Sequence, residues 1–278
     1  MSVAGGWLLA DVGNSRVKLG WLQRGAAAVD ALFERGPKAW DERLTLPVDR
    51  IEANASALAG WLEDKSIGGI WVSSVRPQAV HELVESLDLV MNARTGPDAP
   101  GVVLDSALAT GTIGRLSRPE KSGADRALAV RAAGRLKGRN GPGVVILCGT
   151  AITVERIAAD GEWLGGAIAP GYRLCAEALE HGTAGLMHVD MVSREPLAFG
   201  TETRTAIEAG LFWGQVGAIR ELIARSVGGQ EHWEIWTGGD AAMLARWAGS
   251  PEAEVVDDLV LMGLADWAAE HFADESGT

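Results

Sequence analysis

Along residues 7–22, apolar positions fall in two runs, "WLLADV" and "VKLGWL", separated by the polar stretch "GNSR". In the second run Val17, Leu19 and Trp21 alternate with Arg16, Lys18 and Gly20. That alternation is the signature of a half-buried strand, so a strand, a tight turn and a second strand are predicted. A Rossmann turn or a P-loop would lead from its first strand into a helix, and neither GxGxxG nor GxxxxGK[ST] is present.

The same pattern returns at 143–157, where "GVVILCGTAITVERI" predicts a strand, a glycine turn and a β-branched strand. Between the two hairpins, the spacing predicts an amphipathic helix over 51–64, a strand over 69–75, a turn at Pro77 and a helix over 79–87. The stretch 91–122 is rich in Gly, Pro, Ser and Thr with weak periodicity, which predicts a domain junction there. The domains are accordingly drawn as 1–118 and 119–278. "GADRALAVRAAGRLKG" (123–138) predicts a helix closed by Gly138 and the "RNGPG" breaker. Farther on, 165–182 reads as a Gly-rich loop entering a helix, and 203–229 as one long or two broken helices. A strand, a "TGG" turn and a helix are predicted over 232–248, and a closing helix over 255–272. Two similar halves, each opened by a hairpin, predict a duplicated α/β fold with a cleft between the halves.

Composition narrows the class. At 278 residues there is room for one large domain or two medium ones, and 47% hydrophobic with 22% charged residues is ordinary for a soluble globular chain. A net charge of −12 repels nucleic acid and anionic membrane unless a local basic patch exists. The longest basic cluster, "GRLKGR" (134–139), is too short to make one, so neither partner is expected. Two cysteines without a CxxC indicate neither a disulfide framework nor a thiolate zinc site. The N-terminus lacks a signal-peptide pattern, and no apolar run nears the ~18–20 residues of a membrane span. A cytoplasmic protein is expected. Eleven Trp against one Tyr point to no particular chemistry.

The two hairpin turns carry the first candidate chemistry. Each joins backbone N–H groups on a glycine bend to short polar side chains: Gly13, Asn14 and Ser15 in one, Gly149, Thr150 and Ala151 in the other. Concave amide clusters of this kind bind phosphate oxygens. Asp11 could hold Mg²⁺ beside the first turn, and Lys18 could reach a terminal phosphate. Taken singly, each turn reads as a plain hairpin, with Asp11 a turn residue and Lys18 a solvated charge. Taken as a pair with the later "TGG" turn (237–239), they read as phosphate-holding. "SGADR" (122–126) has two readings as well. Ser122 and Asp125 are spaced as a capping box; a kinase also needs a carboxylate that takes the proton of an attacking alcohol. Arg126 offers forked donors to a phosphate or a carboxylate. Cys148, in an apolar strand, reads as a buried small hydrophobe, and Thr203 stands where a helix cap is usual.

Seven segments, in this order, resemble the type III pantothenate kinases of the acetate-kinase/sugar-kinase/Hsp70/actin superfamily, nearly end to end. "DVGNSRVK" (11–18) is similar to that family's DxGNTxxK, "SSVRP" (73–77) to SSVxP, and "RPEKSGADR" (118–126) to NPxxxGxDR. "GTAITVE" (149–155) is similar to GTAxTxD and "GGAIAPG" (165–171) to GGxIxPG. "TRTAIEAG" (203–210) is similar to TxxAxxxG, and "TGGDA" (237–241) to the adenosine-side turn.

The resemblance implies an α/β fold of two RNase-H-like (actin-like ATPase) domains with a central cleft, and a homodimer. It implies transfer of the ATP γ-phosphate, with Mg²⁺, to the primary hydroxyl of pantothenate, the first step of coenzyme A synthesis. Asp125 is then the proton acceptor, and Gly123, Ala124, Asp125, Arg126 and Thr203 contact pantothenate. Asp11, Val12, Gly13, Asn14, Ser15, Arg16, Val17, Lys18 and Thr150 contact ATP, with Asp11 near the metal. Three positions depart from the family pattern. Leu147 stands where an Asp usually binds a monovalent cation (K⁺ or NH₄⁺), so that cation site is expected to be absent or rebuilt. Leu116 replaces a Tyr near pantothenate, and Glu202 replaces an Asn. The alternatives are a related superfamily kinase acting on another small alcohol, or a catalytically weakened regulatory homologue acting through a protein partner.

Overall fold

The computed structural model describes residues 5–91, 101–136, 141–191 and 194–272. Gly138, Arg139 and Asn140 of the "RNGPG" breaker, and residues 92–100 of the expected junction lie outside them. The chain divides into two compact units, residues 1–138 with 258–278, and residues 139–257.

The first hairpin forms as its alternation predicts. Strands β1 (Gly6–Val12) and β2 (Arg16–Leu22) pair antiparallel, with Trp7 opposite Leu22 and Asp11 opposite Lys18. Strand β3 (Glu42–Pro47) continues the antiparallel meander on β2. Strands β4 (Ile67–Ser74) and β5 (Gly101–Leu104) add in parallel on the other side of β1, giving the order β3-β2-β1-β4-β5. The second unit repeats this scheme. Strands β6 (Gly143–Cys148), β7 (Ala151–Ile157) and β8 (Trp163–Pro170) are antiparallel neighbours. Strands β9 (Trp233–Thr237) and β10 (Glu254–Val255) follow in parallel, giving β10-β9-β6-β7-β8. Each unit therefore has three antiparallel and two parallel strands in one order, the duplicated α/β fold that the two hairpins predicted.

Among the described residues, the N-terminal stretch of the first unit holds α1 (Ala26–Arg35), α2 (Ala55–Leu62), α3 (Pro77–Met91), α4 (Ala107–Thr110) and α5 (Ala124–Arg135). The second holds α6 (Tyr172–Gly182), a single 25-residue α7 (Thr203–Val227) and α8 (Ala241–Ala248). The last helix, α9 (Leu259–Phe272), returns to the first. Among the described residues no helix is long and apolar enough to cross a membrane.

Strand β1 is apolar at successive positions because both faces of its sheet are covered. Leu8, Ala10 and Val12 join a cluster with Leu58 and Leu62 of α2 and Leu83 and Leu87 of α3. On the opposite face Trp7 stacks on Trp71 with ring centroids 5.8 Å apart, and Trp71 meets Phe272 of α9 edge-on at 4.9 Å. Trp163 and Trp236 are fully buried in the second unit, so part of the tryptophan excess is core packing. Side chains alternate along a strand, so Asp11 shares the face of Trp7 and Leu9, on the side of α9.

Two expectations differ from the structure. The division expected at 118/119 falls instead at 138/139, with a return at 257/258. The reason is the α5–α9 packing. A Cβ on Gly263 would collide with the Leu128 carbonyl, so only glycine allows this approach. Arg131 then bonds Asp266 at 2.5 Å and also Glu270, while Arg135 bonds Asp266 and Asp30. The expected Gly-rich loop at 165–171 is largely strand β8. Gly166 reads as a loop residue, but the Glu155 side chain and Val154 carbonyl leave no room for a Cβ there.

Candidate active site

Strand pairing in the first unit sets Lys18, Asp11 and Ser73 side by side across β2, β1 and β4. The turn beyond them is braced from several sides. Gly13 N–H donates to the Arg16 carbonyl at 3.0 Å, closing the bend. Val48 N–H donates to the Ser15 carbonyl at 3.1 Å, and Val75 N–H to the Val12 carbonyl at 3.3 Å. The Arg76 guanidinium donates to the Asn14 carbonyl at 2.9 Å. Val12 and Val17 are buried core anchors, Gly13 and Ser15 half-buried, and Asn14 and Arg16 exposed. "SSVRP" thus acts as the brace of "DVGNSRVK", a relation that sequence order alone does not show.

The start of α5 joins the same neighbourhood through Val75. A Cβ on Gly123 would lie 3.1 Å from Val75 Cγ1 and 2.5 Å from Asp125 Oδ1, so the glycine lets Asp125 fold back over the helix start. Asp125 Oδ1 accepts the Arg126 N–H at 2.8 Å. The expected capping box is not formed. The residue before the helix is Gly123, and the Ser122 hydroxyl donates to the Arg118 carbonyl at 3.4 Å. Ala124 is buried, while Asp125 and Arg126 are half-buried.

The electrostatics of this cluster are unusual. Among the described residues the Asp11 carboxylate has neither a hydrogen bond nor an ion pair, although part of its surface is open. Burial, with Asp125 and Asp258 nearby, pushes its carboxyl up to about 7, against a smaller opposing pull from Lys18. The Lys18 ammonium instead bonds Asp258 Oδ1 at 3.0 Å, and Arg43 bonds Asp258 Oδ2 at 2.5 Å. Burial alone would raise the Asp258 carboxyl; Lys18 and Arg43 outweigh it and hold the group below the usual carboxylate range. Asp258 was missed in the sequence. Its signal is an Asp directly before the last amphipathic helix, a usual capping position.

In the second unit three glycine motifs converge on one turn. Gly149 N–H donates to the Ala151 carbonyl at 3.1 Å, and Gly171 N–H to the Thr150 carbonyl at 3.0 Å. Gly238 (φ +106°) packs so tightly against Cys148 that a Cβ would collide with its carbonyl, and Asp240 N–H donates to that carbonyl at 3.2 Å. "GTA", "APG" and "TGG" therefore form one turn cluster with Thr150 half-buried in it. Leu147 sits just before the turn, paired with Thr153 and Thr237, and among the described residues the buried Thr153 hydroxyl lacks a hydrogen-bond partner. Cys148 is fully buried, and burial pushes its thiol well above the usual range, as expected of a core residue. Thr203 is the exposed first residue of α7 and not its cap; Glu202 holds the cap position and donates its N–H to Thr205 Oγ1 at 3.4 Å. Leu116 is half-buried in the loop before α5, its N–H bonded to the Ile113 carbonyl at 3.1 Å.

In the first unit, then, an unpartnered carboxylate, an ammonium, a second carboxylate at a helix start and a braced amide turn stand together. Such a set can hold phosphate, carry a metal ion between carboxylate and phosphate, and accept a proton.

Comparison with known proteins bears on this arrangement. The family model described as type III pantothenate kinase matches residues 7–225. A curated relative of that name from Parafrankia sp. (strain EAN1pec) is 32% identical, covering 92% of this chain and 95% of its own length. Another, from Janthinobacterium sp. (strain Marseille), is 34% identical over 95% of this chain and 98% of its own. Among solved structures, a conserved putative Baf family transcriptional activator from Campylobacter jejuni gives a TM-score of 0.55 at 22% identity, covering 95% and 98% of the two chains. A putative 2-dehydro-3-deoxygalactonokinase protein from Sinorhizobium meliloti gives 0.56 at 14% identity, covering 96% and 99%. At such identities these two structures speak to the fold alone.

Proposed function

The chain belongs to the type III pantothenate kinase family, and we propose that it transfers the γ-phosphate of ATP to the primary hydroxyl of pantothenate. The products are 4′-phosphopantothenate and ADP, the entry to coenzyme A synthesis. The observation that carries this is the meeting of "DVGNSRVK", "SSVRP" and "GADR" within the first unit, with the Asp125 charge felt at Asp11.

In this reaction the pantothenate hydroxyl oxygen forms the new bond to the γ-phosphorus, and the bond from that phosphorus to the β–γ bridging oxygen breaks. Asp125 accepts the hydroxyl proton, and the electron pair of the broken bond leaves with ADP. Gly123, Ala124 and Arg126 line pantothenate around Asp125, and Arg126 offers its forked donors to an anionic group there. The backbone N–H groups from Val12 to Val17 and the Lys18 ammonium meet the ATP phosphates. Thr150 is assigned to ATP and Thr203 to pantothenate by the family resemblance.

Mg²⁺ fits this donor set. Asp11 has no competing hydrogen bond among the described residues, and a divalent cation would offset the burial and the neighbouring negative charge that raise its carboxyl. Mg²⁺ takes one or two carboxylates plus substrate phosphates, so it needs no cage of three protein ligands; when bound it neutralises charge on the phosphate oxygens. A monovalent cation fits less well. Leu147 supplies no side-chain oxygen, and the Thr153 hydroxyl of the residue paired with it has no hydrogen-bond partner among the described residues. We read K⁺ or NH₄⁺ as not strongly required for activity.

A cytoplasmic homodimer completes the proposal. Phe199 is 88% exposed and Leu197 56%, on a loop pinned where Trp213 Nε1 donates to the Leu197 carbonyl at 3.2 Å. A second copy of this chain is the occupant that the family resemblance favours. Light scattering of Phe199→Asp tests it: a monomer supports this face, and an unchanged dimer removes it. The activity is tested by coupled ADP release with pantothenate. Asp125→Asn is expected to lower kcat about 10²–10⁴-fold; an undiminished rate would sink the proposed base.

A further inference from the structure

Asp11 and Lys18 are opposite one another in the β1–β2 register. Directly opposed residues have Cβ atoms only about 4.5–5.5 Å apart, well within the reach of a lysine. A half-buried aspartate facing a lysine at that separation should pair with it. It does not. The ammonium is taken by Asp258 at 3.0 Å, and the Asp11 carboxylate has no partner among the described residues.

Several features fix Asp258 in this task. Its side chain is only 12% exposed, and both of its oxygens are engaged, Oδ1 by Lys18 of β2 and Oδ2 by Arg43 of β3 at 2.5 Å. Its carbonyl accepts the Met262 N–H at 3.0 Å, which ties its backbone to the first turn of α9. Its φ is +56°, the left-handed region, and it is the one non-glycine residue there among the described residues. A residue held in that region by its surroundings is a marker of a constrained, often functional, position. It is also the first residue of the segment that returns to the first unit, beyond the end of the family match at residue 225.

We propose that Asp258 is a positioning residue that holds the Lys18 ammonium off Asp11. The two opposite charges of the first turn then face ATP and its metal rather than each other. A Lys18–Asp11 pair would engage the carboxylate that the metal uses, whereas Asp258, shared with Arg43, holds the ammonium without engaging Asp11. Arg43 is the counterweight, keeping the Asp258 carboxylate ionised and oriented while it holds Lys18. This role rests on the reading of the first turn as the ATP-phosphate site.

Asp258→Asn tests it, because Asn retains the shape and tolerates the left-handed backbone while losing the charge. In a crystal structure of the ligand-free variant, the Lys18 ammonium is expected within about 4 Å of the Asp11 carboxylate. Calorimetric affinity for MgATP is expected to fall about tenfold, the scale of one charge-assisted contact. A Lys18 ammonium that stays away from Asp11 overturns the proposal. Asp258→Gly relieves the backbone and removes the carboxylate, so it should lose ATP affinity equally. Wild-type affinity in that variant overturns the proposal too. Lys18→Met tests the underlying reading by itself: unchanged ATP affinity there removes that reading and this role with it. With Lys18→Met weakening ATP, adding Asp258→Asn should cost nothing more, whereas a further full loss would assign Asp258 an effect that bypasses Lys18.

Discussion

The two glycine turns occupy equivalent places, each joining the first two strands of a five-stranded sheet of the same order. Their surroundings differ. Before the first turn an acid, Asp11, faces a cation, Lys18, with Asp125 and Asp258 close enough to perturb it. Before the second, Leu147 faces Thr153 and Thr237, all uncharged. The second turn is held tightly by glycines Gly171 and Gly238 against its backbone. The first turn thus carries an acid and a cation on its own two strands, while the second has neither there, its nearby acid, Asp240, coming from the TGG turn. Duplication conserves the turn's geometry without conserving its electrostatics.

This contrast can be broken at either turn. The largest effect is expected from Asp11→Asn, which should lower kcat/KM for ATP about 10–100-fold by removing a charge-assisted contact, read by steady-state kinetics. Thr150→Ala, at the matching second turn, should lower it only about 2–10-fold, as for one neutral hydrogen bond. Equal losses from the two variants would erase the distinction between the turns.

A stability measurement sharpens the same point. The folded Asp11 carboxyl titrates at about 7, well above its ordinary 3.8. Between those two values the native state binds more protons than the unfolded chain, so this group's contribution to stability falls as pH rises from about 4 to 7 and is flat beyond. Asp11→Asn removes that loss. The variant is expected to melt above the wild type at about pH 8 while being less active, and to lose this advantage near pH 4. A melting difference that does not change with pH would contradict the buried-acid assignment.

The smallest effect concerns the second turn's missing acid. Exchanging Na⁺ for K⁺ should change the wild-type rate less than about twofold, because Leu147 supplies no charge for a cation to meet. Leu147→Asp should make the rate respond to K⁺. A strong K⁺ requirement in the wild type would show that backbone and hydroxyl oxygens rebuild the site.

Much of this was legible in the sequence because it is local. Both hairpins follow from period-two alternation around a glycine, and α5 from its apolar spacing and the GADR start. Long-range facts were not legible. Residues 165–170 read as loop because of their glycines, and only the closeness of Glu155 and Val154 makes Gly166 a strand residue. The place of α5 in the first unit depends on Gly263 meeting Leu128 across 135 residues of chain, the separation that also links Arg131 and Asp266. Asp258 could not be tied to Lys18 from sequence, because the two are 240 residues apart. The roles assigned to Asp11, Asp125 and Thr150 came from motif order, and the structure adds which of their neighbours charge or brace them.

The most direct test is a phosphorus NMR time course of the wild-type protein with MgATP and pantothenate in a sodium buffer free of K⁺, run beside Asp125→Asn. The expected result is loss of the ATP γ-phosphate signal and growth of a phosphomonoester signal in the wild type, with no ester formed by the variant over the same period. An ester growing equally fast with Asp125→Asn, or none from the wild type, would contradict the placement of the chemistry at the first turn and the start of α5.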